Sequence, residues 1–302
     1  MMELVVCSGK GGTGKTSVVA SLAALAHNFV LADCDVDAAN LHLVLEPMSE
    51  ETQPFIAGHL ASIRPEDCGG CGVCRVKCRF SAIERVNDPE TGATYQVNQT
   101  ACEGCGVCVH FCPRDAIDFE DRRCGQWSLS STRVGPMVHA SLDVGAENSG
   151  KLVSLVRTKA RELAVEAGHD LILVDGPPGI GCPVTASLTG ADLALMVTEP
   201  SLSGLHDLGR VLDLADHFQI PARVCINKYD FNIRLTERIE AECAARGARV
   251  IGRIPYEPLV NDAQIAGRSL VEFAPDSDAA QAITSIWHHL EHSLTESPTL
   301  KG

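Results

Sequence analysis

A chain of 302 residues with 25 Lys and Arg against 39 Asp and Glu carries a formal net charge of −14, a balance that excludes nucleic-acid binding driven by net charge. No apolar run approaches the ~18 residues a membrane span needs, and the first strand starts so near Met1 that no signal peptide fits, so the expected compartment is the cytoplasm. The length suggests about two domains with a real core, and in a reducing compartment the 14 cysteines are better explained as metal ligands than as disulfides.

The apolar run Leu4–Cys7 reads as the first strand, and Lys15–His27 as the first helix. Between them, Gly9-Lys10-Gly11-Gly12-Thr13-Gly14-Lys15-Thr16 fits G-x-x-x-x-G-K-S/T in full. Glycines there let successive backbone N–H groups turn inward around phosphate oxygens, and the helix N-terminus adds its positive dipole end. Lys15 is expected to reach the β- and γ-phosphates, and Thr16 to hold Mg²⁺.

Lys10 adds a second lysine to this loop. K-G-G-T-G-K-T resembles the variant phosphate loop of the MinD/Mrp/nitrogenase-iron-protein class of ATPases. The resemblance implies that Lys10 reaches the phosphates of a partner subunit, in a nucleotide-sandwich homodimer. A second strand, Phe29–Ala32, ends in Asp33-Cys34-Asp35-Val36-Asp37-Ala38-Ala39-Asn40-Leu41, similar to the D-x-D-x-x-x-x-N-L switch I of that class. By resemblance Asp35 orients the attacking water and Asp33 lies near the Mg²⁺ shell. From the residues alone the stretch is an acidic strand-end loop with Asn40 as a helix cap.

From about Ser62 to Asp121 short Cys-rich turns replace the strand–helix alternation. Cys68, Cys71, Cys74 and Cys78 are followed, about 34 residues later, by Cys102, Cys105, Cys108 and Cys112, then Pro113. The spacing is that of a bacterial two-cluster ferredoxin, in which each tight run supplies three thiolates to one 4Fe–4S cube and the fourth comes from the other run. One cluster then takes Cys68, Cys71, Cys74 and Cys112; the other takes Cys102, Cys105, Cys108 and Cys78. Ser81-Ala82-Ile83 and Asp115-Ala116-Ile117 repeat after the runs, and Arg79 stands where those ferredoxins usually have proline. A pair of four-cysteine zinc sites is the rival reading, but their C-x-x-C pairs are normally separated by longer spans. Val86–Val97, centred on Asp88 to Gly92, reads as a hairpin joining the repeats.

Gly125 to Val144 shows no clear pattern beyond a turn into a strand at Arg133–Met137. Ser149-Gly150-Lys151 lacks the glycines of a phosphate loop, so Asn148 or Ser149 reads as the cap of a helix over Leu152–Ala167. The strand His169–Val174 ends in Asp175-Gly176-Pro177-Pro178-Gly179. Apolar residues followed by Asp match Walker B, and D-x-P-P-G resembles switch II of the same class. Asp175 is expected to bind Mg²⁺ through water, and Gly179 to sense the γ-phosphate. Cys182 has the offset from this aspartate of a cluster-ligand cysteine in the nitrogenase iron protein, which implies an interface thiol; a small core cysteine is the plainer reading. Cys124 is a poor candidate for a second such ligand.

Leu193–Thr198 is a buried strand, and Glu199-Pro200-Ser201 leads into a helix over Leu205–His217. After the strand Arg223–Ile226 comes Asn227-Lys228-Tyr229-Asp230. As N-K-x-D these residues read guanine; in the MinD class the asparagine contacts adenine. The resemblance of Lys10 and the switches favours ATP. A helix is expected over Arg234–Arg246, then a strand over Val250–Ile254, with Pro255 beside the base. In the last helix, Ser277–His292, Ala280, Ile283, Trp287 and Leu290 share one face, the mark of a core helix rather than a basic membrane-targeting one.

The fold expected is α/β: a doubly wound, mostly parallel sheet formed by residues 1–60 and 123–302, with an α+β ferredoxin-like module, 61–122, inserted after switch I. The whole resembles MinD-superfamily ATPases with such an insertion. That implies an ATPase whose dimer closes on ATP and gates electron transfer through two 4Fe–4S clusters, with a redox or cofactor-maturation protein as partner. The alternatives are an iron–sulfur or metal cofactor carrier, and a MinD/ParA-like positioning factor with structural clusters.

Overall fold

Leu4 to Cys7 are fully buried, as befits a strand covered on both faces of a parallel sheet. They lie in β1 (Met2–Ser8), the centre of the fold. A computed structural model describes residues 1–88, 92–143, 145–146 and 149–296; the expected hairpin turn at 89–91 and the cap at Asn148 lie outside the described residues. In chain order the elements are β1, α1 (Lys15–Leu25), β2 (Phe29–Asp33), α2 (His42–Leu45), β3 (Met48–Ile63), α3 (Val73–Lys77), β4 (Ile83–Asp88), β5 (Gly92–Val97), α4 (Val107–His110), β6 (Ile117–Ser131) and β7 (Pro136–Leu142). Then follow α5 (Ser149–Ala167), β8 (Leu171–Pro178), α6 (Cys182–Leu188), β9 (Leu193–Thr198), α7 (Leu202–His217), β10 (Ala222–Asn227), α8 (Ile233–Ala245), β11 (Arg249–Ile254), α9 (Leu259–Ile265), α10 (Leu270–Phe273) and α11 (Asp278–Glu296). The chain divides into one unit of residues 1–53, 127–141 and 149–302 and another of 54–126 and 142–148.

Among the described residues the large sheet has the order β11-β10-β9-β1-β8-β2-β7-β6-β3. β1 pairs in parallel with β8 and β9, β2 with β8 and β7, and β10 with β9 and β11. From β1 the chain moves to β2, towards the β3 edge; from β8 it moves through β9 to β11, towards the opposite edge. Strand order reverses around β1, and in open α/β sheets the crevice at the carboxyl ends beside such a reversal is where ligands bind.

The core of the first unit joins these strands to α1 and α11. Val18 and Leu22 of α1 meet Ala280, Ile283, Trp287 and Leu290, all at most 4% exposed, in one cluster. The apolar stripe foreseen for the last helix is therefore its buried face. Glu3 is buried with Arg157, whose Nε donates to it at 2.5 Å, and with Arg161, whose Nη2 donates at 2.6 Å. Arg157 also donates to the carbonyls of Ala186 and Thr189, tying α5 and the end of α6 to β1.

Local boundaries differ from expectation in physically simple ways. α7 begins at Leu202 because Ser201 caps it, accepting the Gly204 N–H at 3.0 Å. Asn40 is not a helix cap: α2 begins after Leu41, with no side-chain cap. Gly125 to Val144, unreadable beforehand, holds the end of β6 and β7, joined by a turn in which Thr132 Oγ1 donates to the Gly135 carbonyl.

In the second unit the sequence repeat is also a backbone repeat. Gly70 and Gly104 have φ of 66° and 60°, Gly72 and Gly106 of 74° and 73°, and Ser81 and Asp115 of 54° and 51°. A Cβ at Gly104 would fall 2.3 Å from the His59 carbonyl oxygen, and one at Gly70 2.6 Å from that of Ala93, so only glycine makes these turns. α3 and α4 follow the two turns, and β4 and β5 pair antiparallel. Ala61, Cys74, Ile83, Val97, Cys108 and Ile117 make the small core. Among the described residues of the whole chain, no helix is long and apolar enough to cross a membrane.

Candidate functional site

Residues Gly9–Thr16 join the carboxyl end of β1 to α1, at the point of reversal. Gly12 and Gly14 have φ of 80° and 86°, the left-handed conformation that lets the loop fold back on itself. Gly9 lies so close to α7 that a Cβ would be 2.6 Å from the Asp207 backbone. Gly14 caps α1 without any side-chain bond, leaving the N–H groups of the first turn for an anion. A cleft of about 920 Å³ opens over this loop; Lys15, Thr16, Asp35, Asn40 and Pro178 are among its walls.

Strand register brings the charges together. Asp33, ending β2, stands opposite Asp175 on β8, and β8 lies beside β1. Lys15 Nζ pairs with Asp175 Oδ1 and lies 3.3 Å from Asp35 Oδ2. Burial opposes its charge, but Asp175 and Asp35 outweigh burial and raise its pKa. Burial and the neighbouring Asp175 charge push the Asp33 carboxyl well above the usual range. Asp35 is also raised, chiefly by burial, against the pull of Lys15. Asp33 Oδ2 and Asp175 Oδ2 are buried and have no hydrogen-bond partner. Two such oxygens on adjacent strands are donors of the kind a hard divalent cation takes, and Thr16 is a wall of the cleft that Lys15 and Asp35 also line. Lys15, expected at phosphate, here neutralises these acids, a place from which it can move to an entering anion. Gly179 has φ 94° and donates its N–H to the Ser8 carbonyl at 2.9 Å, so the switch II turn is tied to the end of β1.

Lys10 turns towards its own chain. Its Nζ donates to Glu199 Oε1 at 2.6 Å and to the Ser201 and Ser203 hydroxyls at 3.0 Å each. Lys228 donates to Glu199 Oε2 at 3.4 Å and to the Gly12 carbonyl at 3.1 Å. Burial works against ionisation of Glu199, yet Lys10 and Lys228 together hold its pKa below the ordinary value.

A second pocket of about 230 Å³ shares Gly14, Ser17, Asn261 and Gln264 with the cleft, and Asn227, Pro255 and Tyr256 help to close it. Its position beyond the phosphate loop suits a nucleobase. The Asn227 amide is tied to the loop: Nδ2 donates one N–H to the Thr13 carbonyl at 2.8 Å and Oδ1 accepts the Lys228 N–H at 3.0 Å, which leaves a second N–H and a second lone pair at the pocket wall. Asp230 accepts the Tyr256 N–H at 2.8 Å and is not among the pocket's walls. The N-K-x-D residues therefore brace the phosphate loop and the loop after β11.

In the second unit two small cavities lie within the repeat. One is lined by Cys68, Cys71, Cys74 and Cys112; the other by Cys78, Cys102, Cys105 and Cys108. Each takes three thiols from one run and one from the other. Among the described residues no group of three or more His, Cys, Asp or Glu side chains closes around a single ion. Four soft thiol donors around each cavity fit an iron–sulfur cube, a larger object than one ion. Burial raises the pKa of Cys74 and of Cys108, with further contributions from nearby thiols.

Cys182 is exposed at the first residue of α6, its Cβ 3.3 Å from where Gly150 would carry one. Cys124 is buried, and its thiol donates to the Ala57 carbonyl at 3.1 Å; this is a satisfied core position rather than a ligand. Sequence reasoning missed Glu199, Asn261 and Gln264. An acidic residue before proline at a strand end, and two polar residues on a short amphipathic helix, look like ordinary solvated surface.

The sequence description of the CobQ/CobB/MinD/ParA nucleotide binding domain matches residues 4–271. An uncharacterized protein of Methanocaldococcus jannaschii is 34% identical over 236 residues, 77% of this chain and 80% of that one. An uncharacterized ATP-binding protein of the same organism is 24% identical over 298 residues, 94% of this chain and 86% of its own. The septum site-determining protein MinD of Pyrococcus horikoshii, solved with Mg-ADP, has a TM-score of 0.58 at 18% identity, covering 99% of both chains. MinD from the MinC:MinD complex of Aquifex aeolicus gives 0.57 at 21%, covering 97% of this chain and 96% of that chain. At these identities the solved structures establish a shared α/β P-loop fold with a mostly parallel central sheet.

Proposed function

Because the chain belongs to the CobQ/CobB/MinD/ParA family of nucleotide-binding domains, we propose that it is a Mg²⁺-dependent ATPase that works as a homodimer and couples its nucleotide state to two 4Fe–4S clusters. The observation that carries the ATPase half is the pairing of Lys15, in the loop Gly9–Thr16, with Asp35 and Asp175 at the sheet's reversal point. Lys15 binds phosphate oxygens; Thr16 and Asp175, with Asp33 opposite Asp175 on the adjacent strand, would hold Mg²⁺; Asp35 orients the attacking water. Catalysis then rests on positioning and charge neutralisation. Asn227 and Lys228 hold the loop in shape, and the pocket bounded by Pro255 and Tyr256 takes the base.

The cluster half is supported by the two cavities with their crossed sets of four cysteines. When bound, such clusters supply reversible one-electron transfer. Cys68, Cys71, Cys74 and Cys112 would hold one, and Cys102, Cys105, Cys108 and Cys78 the other. Chain order argues for coupling: the module follows the Asp33–Leu41 segment, which resembles a switch. A redox or cofactor-maturation protein is the implied partner.

A second reading is favoured by the likeness to MinD: an ATP-driven positioning factor in which the cysteine module is structural. A carrier of iron–sulfur cargo is a third, in which the same cysteines release what they hold. Anaerobic purification with iron and sulfide analysis, followed by ATP cycling beside an apo-acceptor, separates the three. A redox ATPase keeps its clusters and reduces them reversibly; a carrier loses them to the acceptor; a positioning factor hydrolyses ATP at the same rate whatever their redox state.

A further inference from the structure

Lys10 has three N–H donors, and all three are occupied within its own chain. Glu199 takes one at 2.6 Å, and Ser201 and Ser203 take the others at 3.0 Å. An ammonium so saturated has no donor left for a phosphate. The backbone around it is fixed: Gly9 abuts Asp207 of α7 so closely that no Cβ fits, and Ser201 caps that helix. Freeing Lys10 is therefore a matter of side-chain exchange rather than loop movement.

We propose that Glu199 is a positioning residue, a latch that parks Lys10 against the turn between β9 and α7 until a nucleoside triphosphate draws it away. The proposal rests on the reading of Gly9–Thr16 as a triphosphate site. Lys10 and Glu199 are each partly exposed, at 26% and 20%, and an ion pair in that setting is weak enough to exchange. A triphosphate brings several negative charges to a loop where Glu199 brings one. When Lys10 leaves, Glu199 keeps Lys228, which also holds the Gly12 carbonyl. The latch thus opens without leaving an unpaired carboxylate and without unfastening the loop. Glu199 competes for Lys10 with the triphosphate, whether held by this chain or by its partner in the homodimer, so ATP binds less tightly than it would with Lys10 free.

The test is a four-corner cycle of wild type, Glu199→Gln, Lys10→Met and the double variant. Equilibrium binding of a fluorescent ATP analogue with Mg²⁺ is read beside thermal unfolding. The latch predicts that Glu199→Gln binds ATP about fivefold tighter and that Lys10→Met erases this gain, a coupling within the range of contacting pairs. Glu199→Asp keeps the charge but shortens the reach, and also binds tighter. Unchanged or weaker binding in both Glu199 variants overturns the latch, as does a gain that persists without Lys10, which would assign it to Lys228 or to charge alone. If Glu199→Gln does not fold, Glu199→Asp carries the same cycle. A wild-type chain that binds no nucleotide overturns the reading of the loop itself; tight wild-type binding with an additive cycle overturns only the latch.

Discussion

Asp33 and Asp175 stand opposite one another on adjacent parallel strands, and each keeps one buried oxygen without a hydrogen-bond partner. Two buried carboxylates side by side repel, and Lys15 alone neutralises the pair among the described residues. A divalent cation would complete what these two carboxylates leave unpartnered. We predict that Asp175→Asn lowers Mg²⁺-dependent ATP hydrolysis about a hundredfold while changing thermal stability little, since it relieves the repulsion with Asp33 but also breaks the buried pair with Lys15, to which Asp35 remains. Asp33→Asn should weaken Mg²⁺ more than ATP. Steady-state hydrolysis with a Mg²⁺ titration, and a melting curve of each variant, check both.

The cysteine cavities group the same residues as the spacing does, and the crossed assignment can be tested. Cys112→Ser should remove the cluster held with Cys68, Cys71 and Cys74, and Cys78→Ser the one held with Cys102, Cys105 and Cys108. Each variant should retain about half the iron and sulfide of the parent. Elemental analysis with electron paramagnetic resonance of the reduced protein checks this; loss of the cluster belonging to the variant's own run would contradict the crossed assignment.

Glu3 and Arg157 form a buried ion pair at 2.5 Å, and Arg157 holds two carbonyls besides. Breaking such a pair leaves a buried charge poorly compensated, here with Arg161 as its remaining partner. Arg157→Met should cost about 3 kcal/mol of stability with little change in ATP affinity. Urea unfolding followed by circular dichroism measures it.

Glu272 accepts from both Arg133 and Ser269. Burial opposes its ionisation, but those donors win and bring its pKa from 4.5 down to about 2. A carboxyl depressed by folding contributes stability that is present above about pH 4.5 and lost as pH falls through about 2. Allowing for its partial exposure, the contribution is about 1 kcal/mol. Glu272→Gln should flatten the acid limb of stability by that amount between pH 4.5 and 2, measured by unfolding across that range.

Much of this architecture is readable in the residues because local and long-range signals agree. The loop glycines, the apolar runs before Asp33 and Asp175, and the spacing of Ala280, Ile283, Trp287 and Leu290 each specify one conformation. The Cys-rich repeat is legible for the same reason, since its glycines recur with its cysteines. β3 was not legible: its 16 residues are largely exposed, and only Phe55, Ala57 and Ala61 mark a buried face. Neither was the role of Glu199, because an ion pair between residues 189 positions apart is created by strand order and leaves no local pattern. The bond from the Asn227 amide to the Thr13 carbonyl, which ties the wall of the second pocket to the phosphate loop, was not legible either, because only the folded loop brings the two together.

The central claim is that nucleotide state and cluster state are linked. The most direct measurement is the midpoint potential of the clusters in anaerobic protein, titrated with and without Mg-ATP. The account predicts two 4Fe–4S clusters of low potential, with a shift of about 30 mV or more on ATP binding, equivalent to roughly 0.7 kcal/mol for one electron. Clusters present at full occupancy with potentials unmoved by ATP, and ATP turnover unmoved by cluster reduction, would contradict it.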